Sequence, residues 1–150
     1  MAFRTIVLKG DPIRKEAKAG GTITPGHLLY YSAADTVKVH ASSGQPTGAM
    51  FAIENSLEGG EIGDDYSTGD RVQYVHARPG DEIYAWLKDG ENVSVGDYLQ
   101  SGGNGDLIKY VASSAGKIEY PNSIVAVALE AVNLSASSNT THGRIKIAVV

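Results

Sequence analysis

The amino-acid sequence predicts a mainly β fold of short strands, many turns and little helix. Three observations carry that reading. Glycine supplies 18 of 150 residues and is spread along the chain, well above the usual level of about 7%. The longest stretches without Gly or Pro, His27–Ser43 and Asn122–His142, show no clean apolar repeat at helical spacing. Several other segments alternate at period two instead, as strands with one buried face do. A length of 150 residues with 42% hydrophobic side chains is enough for one cored domain and too apolar for disorder.

The elements follow in order. In Thr5–Lys9, Ile6 and Leu8 share a face. Asp11-Pro12 has the form of a helix start, yet Ile13, Lys15 and Ala17 alternate, so an extended segment or a single turn is expected over Ile13–Ala19. Glu54–Asp70 is irregular, with four glycines and six acidic residues, and is expected to be a long loop or lid. Arg71–His76 places Val72, Tyr74 and His76 on one face, and Ile83–Leu87 places Ile83, Ala85 and Leu87 on one and Tyr84 and Trp86 on the other. Between them, Arg78-Pro79-Gly80-Asp81 is a turn. Asp89-Gly90 separates Ile83–Leu87 from Asn92–Val95. Asn104-Gly105 is the strongest hairpin signal, joining Tyr98–Gln100 to Leu107–Val111, with Ser101-Gly102-Gly103 allowing a wider loop. Ile124–Val132 is nearly all apolar, and its β-branched residues favour a central strand buried on both faces over a short helix. Ser135–Gly143 reads as an exposed loop, and Arg144–Val150 as a half-buried strand with Ile145, Ile147 and Val149 inward. A short echo links Thr22–Leu28 with Val93–Leu99: apolar residue, turn glycine, then Leu entering a strand.

The chemistry-bearing residues do not assemble into a reaction centre. There is no cysteine, which excludes a disulfide scaffold, a thiol nucleophile and thiolate metal sites. His27, His40, His76 and His142 lack the spacing of a metal ladder. No nucleophile elbow, phosphate loop or dinucleotide fingerprint is present. Asp64-Asp65 and Asp81-Glu82 are sequence neighbours, which point to opposite faces of a strand. No enzyme activity, cofactor or metal is therefore expected. The net charge of −4 argues against a generic nucleic-acid binder, and no apolar run approaches a membrane span. The N-terminal sequence has no secretory pattern, so a soluble chain made in the cytoplasm is expected. Charge is uneven: residues 1–20 carry +3, residues 54–106 carry −9 and residues 107–150 carry +2, so copies of the chain or a mixed-charge surface could attract it. Tyr30, Tyr31, Tyr66, Tyr74, Tyr84, Trp86, Tyr98, Tyr110 and Tyr120 make an interaction surface plausible.

Three segments, Lys9–Tyr31, Asp89–Tyr110 and Ser123–Ser135 with Gly143–Val150, carry a family resemblance. They read KGDPIRKEAKAGGTITPGHLLYY, DGENVSVGDYLQSGGNGDLIKY and SIVAVALEAVNLS followed by GRIKIAVV. Their order and wording resemble the head decoration, or cement, proteins of tailed bacteriophages, over most of the chain. The resemblance implies a compact single-domain β-barrel or β-tulip-like protomer, assembled as a homotrimer. It would sit on the outer capsid surface between capsomers, with the major capsid protein as partner and a mechanical role. On that reading residues 1–10 form an extended arm and 11–150 the β domain. Phe3, Arg4, Ile6, Leu8 and Lys9 of the arm, with Tyr30, Tyr31, Tyr66 and Trp86, are the expected interface residues. Deleting residues 1–9 would then weaken binding and leave the fold intact. The rival is a carbohydrate- or receptor-binding β module with tyrosines and Trp86 stacked on sugars; a β-clip domain of an enzyme is a third reading.

Overall fold

The computed structural model describes residues 3–111, 123–135 and 143–150. Its strands in chain order are β1 (Val7–Lys9), β2 (Ile13–Ala19), β3 (Leu29–Ala33), β4 (Thr36–Val39), β5 (Met50–Ala52), β6 (Arg71–His76), β7 (Glu82–Leu87), β8 (Asn92–Val93), β9 (Tyr98–Ser101), β10 (Leu107–Lys109), β11 (Ala126–Ala128), β12 (Val132–Asn133) and β13 (Gly143–Val149). A 3-10 turn spans Ser56–Glu58. The mainly β class read from the sequence is what the chain adopts.

Five strands close into a barrel in the order β7-β10-β9-β11-β13 and back to β7. Alternation fills its interior: Ile83, Ala85 and Leu87 from β7, Ile145, Ile147 and Val149 from β13, Leu99, Leu107, Ala126 and Ala128 from the others are all buried. Each fully buried Leu or Ile side chain in this interior contributes about 1.5–3 kcal/mol. The register places Arg144 opposite Trp86 and Lys146 opposite Tyr84 on the outer wall.

The second sheet runs β3-β4-β2-β6-β5. It curls until Leu28 and Phe51 form a bridge. One face of β6 sends Val72 and Tyr74 into a second core with Ala17, Ala19, Leu29, Val37 and Met50. The other face turns Val75, with Phe51 from β5, into the barrel's cluster. The two sheets thus share one continuous interior seam.

One turn recurs. In Thr24–His27, Ser67–Asp70, Arg78–Asp81 and Ser94–Asp97, the fourth residue's N–H donates to the first residue's carbonyl at 3.0–3.1 Å. Its side chain returns to the first residue's N–H: His27 Nδ1 at 3.0 Å, and Asp70, Asp81 and Asp97 carboxylates at 2.8–2.9 Å. The third residue is glycine with φ between +94° and +98° in three of these turns and +91° at Gly96, a conformation a Cβ would strain. Two residues past each turn's end a strand side chain enters a core fully buried: Leu29, Val72, Ile83 and Leu99. The echo between Thr22–Leu28 and Val93–Leu99 is this turn, and Asp81 and Asp97 serve backbone closure.

The chain departs from the sequence expectations at its N-terminus and in the run Ile124–Val132. The N-terminal arm expected over 1–10 is, from Ile6 to Lys9, part of the barrel: β1 pairs antiparallel with β7, Ile6 is 0% exposed, and Tyr84 N–H donates to the Ile6 carbonyl at 2.8 Å. The apolar run Ile124–Val132 is not one strand. Only Ala126–Ala128 lies in the barrel; the chain bends at Leu129-Glu130, and β12 pairs with β8 instead. The Glu130 carboxylate fixes that bend by accepting Lys146 N–H at 2.9 Å. The β9–β10 connection uses the wider loop, closed by Gly102 N–H on the Asp106 carbonyl at 2.8 Å. The tightest hairpin is instead β3–β4, turning at Asp35 with φ +53°, which Asp tolerates. Tyr120, Pro121 and His142 lie outside the described residues, as do most of the expected loop at 135–143.

His40 joins the two sheets. It is 7% exposed, its Nδ1 lies 2.6 Å from Ser101 Oγ, and its ring meets Tyr30 edge-on. Burial lowers its pKa from the ordinary 6.5, and His76 is lowered too, by burial and then by Lys15. A histidine disfavoured as a cation in the fold takes up more protons unfolded, so stability is full above pH 6.5 and falls below it. Urea unfolding at pH 7.5 and 5.5 should show that loss, and a shallower one in His40→Asn. An identical pH slope in that variant would remove His40 from the account.

Candidate interaction surfaces

The outer wall of β7 carries an aromatic line. Tyr84 and Trp86, two residues apart, face outward. Phe3 meets Tyr84 edge-on at 5.1 Å. The Arg144 guanidinium lies over the Trp86 ring, 4.3 Å from its centroid, and 5.8 Å from that of Tyr84. Arg144 Nη2 also donates to the Pro25 carbonyl at 3.0 Å and the Ile62 carbonyl at 2.6 Å, while Trp86 Nε1 donates to Pro25 at 2.9 Å. Arg144 therefore pins both the Thr24–His27 turn and the 54–70 loop onto the barrel. Burial lowers its pKa from the ordinary value.

A second cluster lies on the other sheet. Tyr31 Oη is 2.8 Å from Tyr74 Oη and 3.1 Å from His76 Nε2, and its ring stacks beside His76. Tyr31 is 48% exposed and Ile13, registered opposite His76, is 55% exposed. Burial and the Tyr31 contact raise the Tyr74 pKa well above that of a free phenol.

The Glu54–Asp70 loop is ordered by its own polar groups. The Glu54 carboxylate accepts Thr5 Oγ1 at 2.6 Å and Ile6 N–H at 3.1 Å. Asp65 accepts Thr24 Oγ1 and Asp64 accepts Glu61 N–H. Tyr66, 4% exposed, donates to the Ile53 carbonyl at 2.7 Å; burial pushes its pKa up to about 12. Beside it lies a cleft of about 520 Å³ lined by Glu58, Asp64, Asp65 and Asp70, with Arg71 at the rim. Among the described residues no group of three or more His, Asp or Glu side chains is placed to hold a metal ion, and no helix is long and apolar enough to cross a membrane.

The residues expected at an interface are therefore scattered. Ile6 and Tyr66 are core residues, each enclosed by this chain. Leu8 is half-buried in β1 and Lys9 exposed beside it. Tyr30 rests on His40, and Trp86 lies under Arg144. Phe3, Arg4 and Tyr31 stay exposed; Arg4 lines a smaller cleft with Glu54, Glu61 and Ile62. Ile13, His76 and Arg144 were not singled out from the sequence as site residues. The β2–β6 register that joins Ile13 to His76 spans the whole loop region and leaves no local signal.

No family model matches the chain, and no curated protein does. Among solved structures, the N base of head fiber gp8.5 of bacteriophage phi29 is similar over 92% of this chain and 93% of that one, with a TM-score of 0.55 and 16% identical residues. At that identity the likeness is one of fold, over nearly the whole length of both chains.

Proposed function

We propose that the chain is a structural protein of a tailed-phage head: a decoration, or cement, protein made in the host cytoplasm. It binds the major capsid protein on the outer surface between capsomers and self-associates as a homotrimer. The observation that carries this reading is the shared fold with a phage head-fiber base along nearly the whole length of both chains. The site chemistry points the same way. Asp64, Asp70, Asp81, Asp97 and His27 are each engaged in closing a turn on a backbone N–H, so these groups stiffen the module. A module ordered before docking loses little entropy when it binds, and several copies joined together multiply weak contacts through effective concentration. The sugar-binding rival is disfavoured because Trp86 is capped by Arg144 and Tyr66 is enclosed, which removes both as stacking platforms.

The test is incubation of purified protein with expanded, undecorated phage heads. Co-sedimentation at stoichiometric occupancy and raised resistance of the heads to heat are expected. Heads that emerge unoccupied, or occupied with unchanged heat resistance, would overturn the reading.

A further inference from the structure

The second sheet presents an outward face rich in basic side chains. Arg14, Glu16 and Lys18 alternate along β2, and Lys18 is registered opposite Arg71 of β6 and Thr36 of β4. Lys38, two residues from Thr36, shares the face; its stem lies where a Cβ on Gly20 would sit. Arg71 is held by Asp35 at 2.9 Å. Arg14, Lys18 and Lys38 are exposed and make no ion pair among the described residues. Beside Arg71 opens the acidic cleft, and the loop around it exposes Glu58, Glu61, Asp64 and Asp65 with no ion pair either. Two opposite charge fields thus lie side by side, one on a sheet face and one concave.

We infer that this pair of surfaces is a contact between copies of the chain, the basic face of β2 and β4 on one protomer seating against the acidic 54–70 loop of the next. Charge complementarity identifies the occupant. The chain itself supplies the cleft that an Arg or Lys side chain fills, and the cations that fill it. Because two different patches meet, the contact is heterologous and closes into a ring when the rotation permits. The inference deepens the self-association part of the proposed function and stands apart from capsid binding.

Exposed ion pairs are individually weak and salt-screened; the screening length shrinks from about 10 Å at 0.1 M salt to about 3 Å at 1 M. Sedimentation velocity of the purified chain should therefore show a ring at 50 mM salt and at least a tenfold weaker assembly at 1 M. The double variant Lys18→Glu with Lys38→Glu should be monomeric at 50 mM, as should Glu58→Lys with Glu61→Lys. The four changes together should reassemble, since the charges are exchanged and not lost. All four positions are exposed, and melting curves check that each variant folds. A monomer at every salt concentration, or an oligomer indifferent to salt and to both doubles, would overturn the inference. So would a basic-face double that still assembles yet no longer binds heads, which would give that face to the capsid. Head binding scored in parallel separates this failure from that of capsid binding, because a monomer that still decorates heads sinks the ring and the self-association and leaves the capsid-binding reading standing.

Discussion

Removal of residues 1–9 is expected to cost the chain most of its cooperative stability. Ile6 is 0% exposed within the barrel cluster, and Val7 packs against the same cluster. The β1–β7 ladder covers the start of β7, and Glu54 is held by Thr5 Oγ1 and Ile6 N–H. Ile6→Ala alone leaves a cavity and costs about 3 kcal/mol, or roughly 6–12 °C in Tm for a domain of this size. Truncation adds the lost backbone ladder and the exposed flank of β7, against a total stability on the order of 5–15 kcal/mol. Phe3→Ala is the control. Phe3 is 39% exposed and touches Tyr84 edge-on, so its loss should stay near 1 kcal/mol. Thermal melts of the three variants decide the point. A truncated chain melting within a few degrees of the parent would show that β1 is dispensable, and the free arm would return as the better description.

The same residues show what a sequence exposes and what it hides. Period-two alternation marks Ile83–Leu87 and Arg144–Val150 because each has one buried face, and burial writes itself locally every second residue; Arg71–His76 alternates too, although Val75 on its other face is also buried. The turns at Arg78–Asp81 and Ser94–Asp97 were equally local, a glycine and a carboxylate three residues from the N–H it accepts. That Ile6 and Tyr66 are buried in the core is hidden for the opposite reason. Apolar and aromatic side chains serve cores and interfaces alike, and only the long-range pairing of Ile6 with the barrel or of Tyr66 with Ile53 separates the two uses. The run Ile124–Val132 misled similarly. Its composition is that of one buried strand, but it supplies strands to two sheets, with a bend fixed by Glu130 reaching Lys146 from a position that no periodicity marks.

Arg144 carries the second large effect. Alternation with Lys146 reads as a solvent face, yet one nitrogen of Arg144 serves two carbonyls, of Pro25 and Ile62, while its plane covers Trp86. Hydrogen bonds from a charged donor contribute about 1.5–3 kcal/mol each and the ring contact about 0.5–2 kcal/mol. Against them stand the desolvation that lowers its pKa and an Nε with no hydrogen-bond partner among the described residues. The balance for Arg144→Ala is a loss of about 2–3 kcal/mol, or roughly 4–12 °C in Tm. The loss should be local before it is global. With Ile62 released, the 54–70 loop should be cut faster by a glutamate-specific protease at Glu58 and Glu61, and emission of the single tryptophan should shift to the red as Trp86 meets water. Arg144→Lys tests geometry, because an ammonium cannot stack as a plane and reach both carbonyls at once; it should recover less than half of the loss. Arg144→Met separates packing from hydrogen bonding. It covers Trp86 without a donor, so it should restore the emission while leaving the loop open to cleavage. If Met restores both, the guanidinium acts as a lid of carbon over the ring. If Ala changes neither cleavage nor Tm, the loop is held by Asp65 on Thr24 and by the Tyr66–Ile23 bridge alone, and the clamp is geometry without energy.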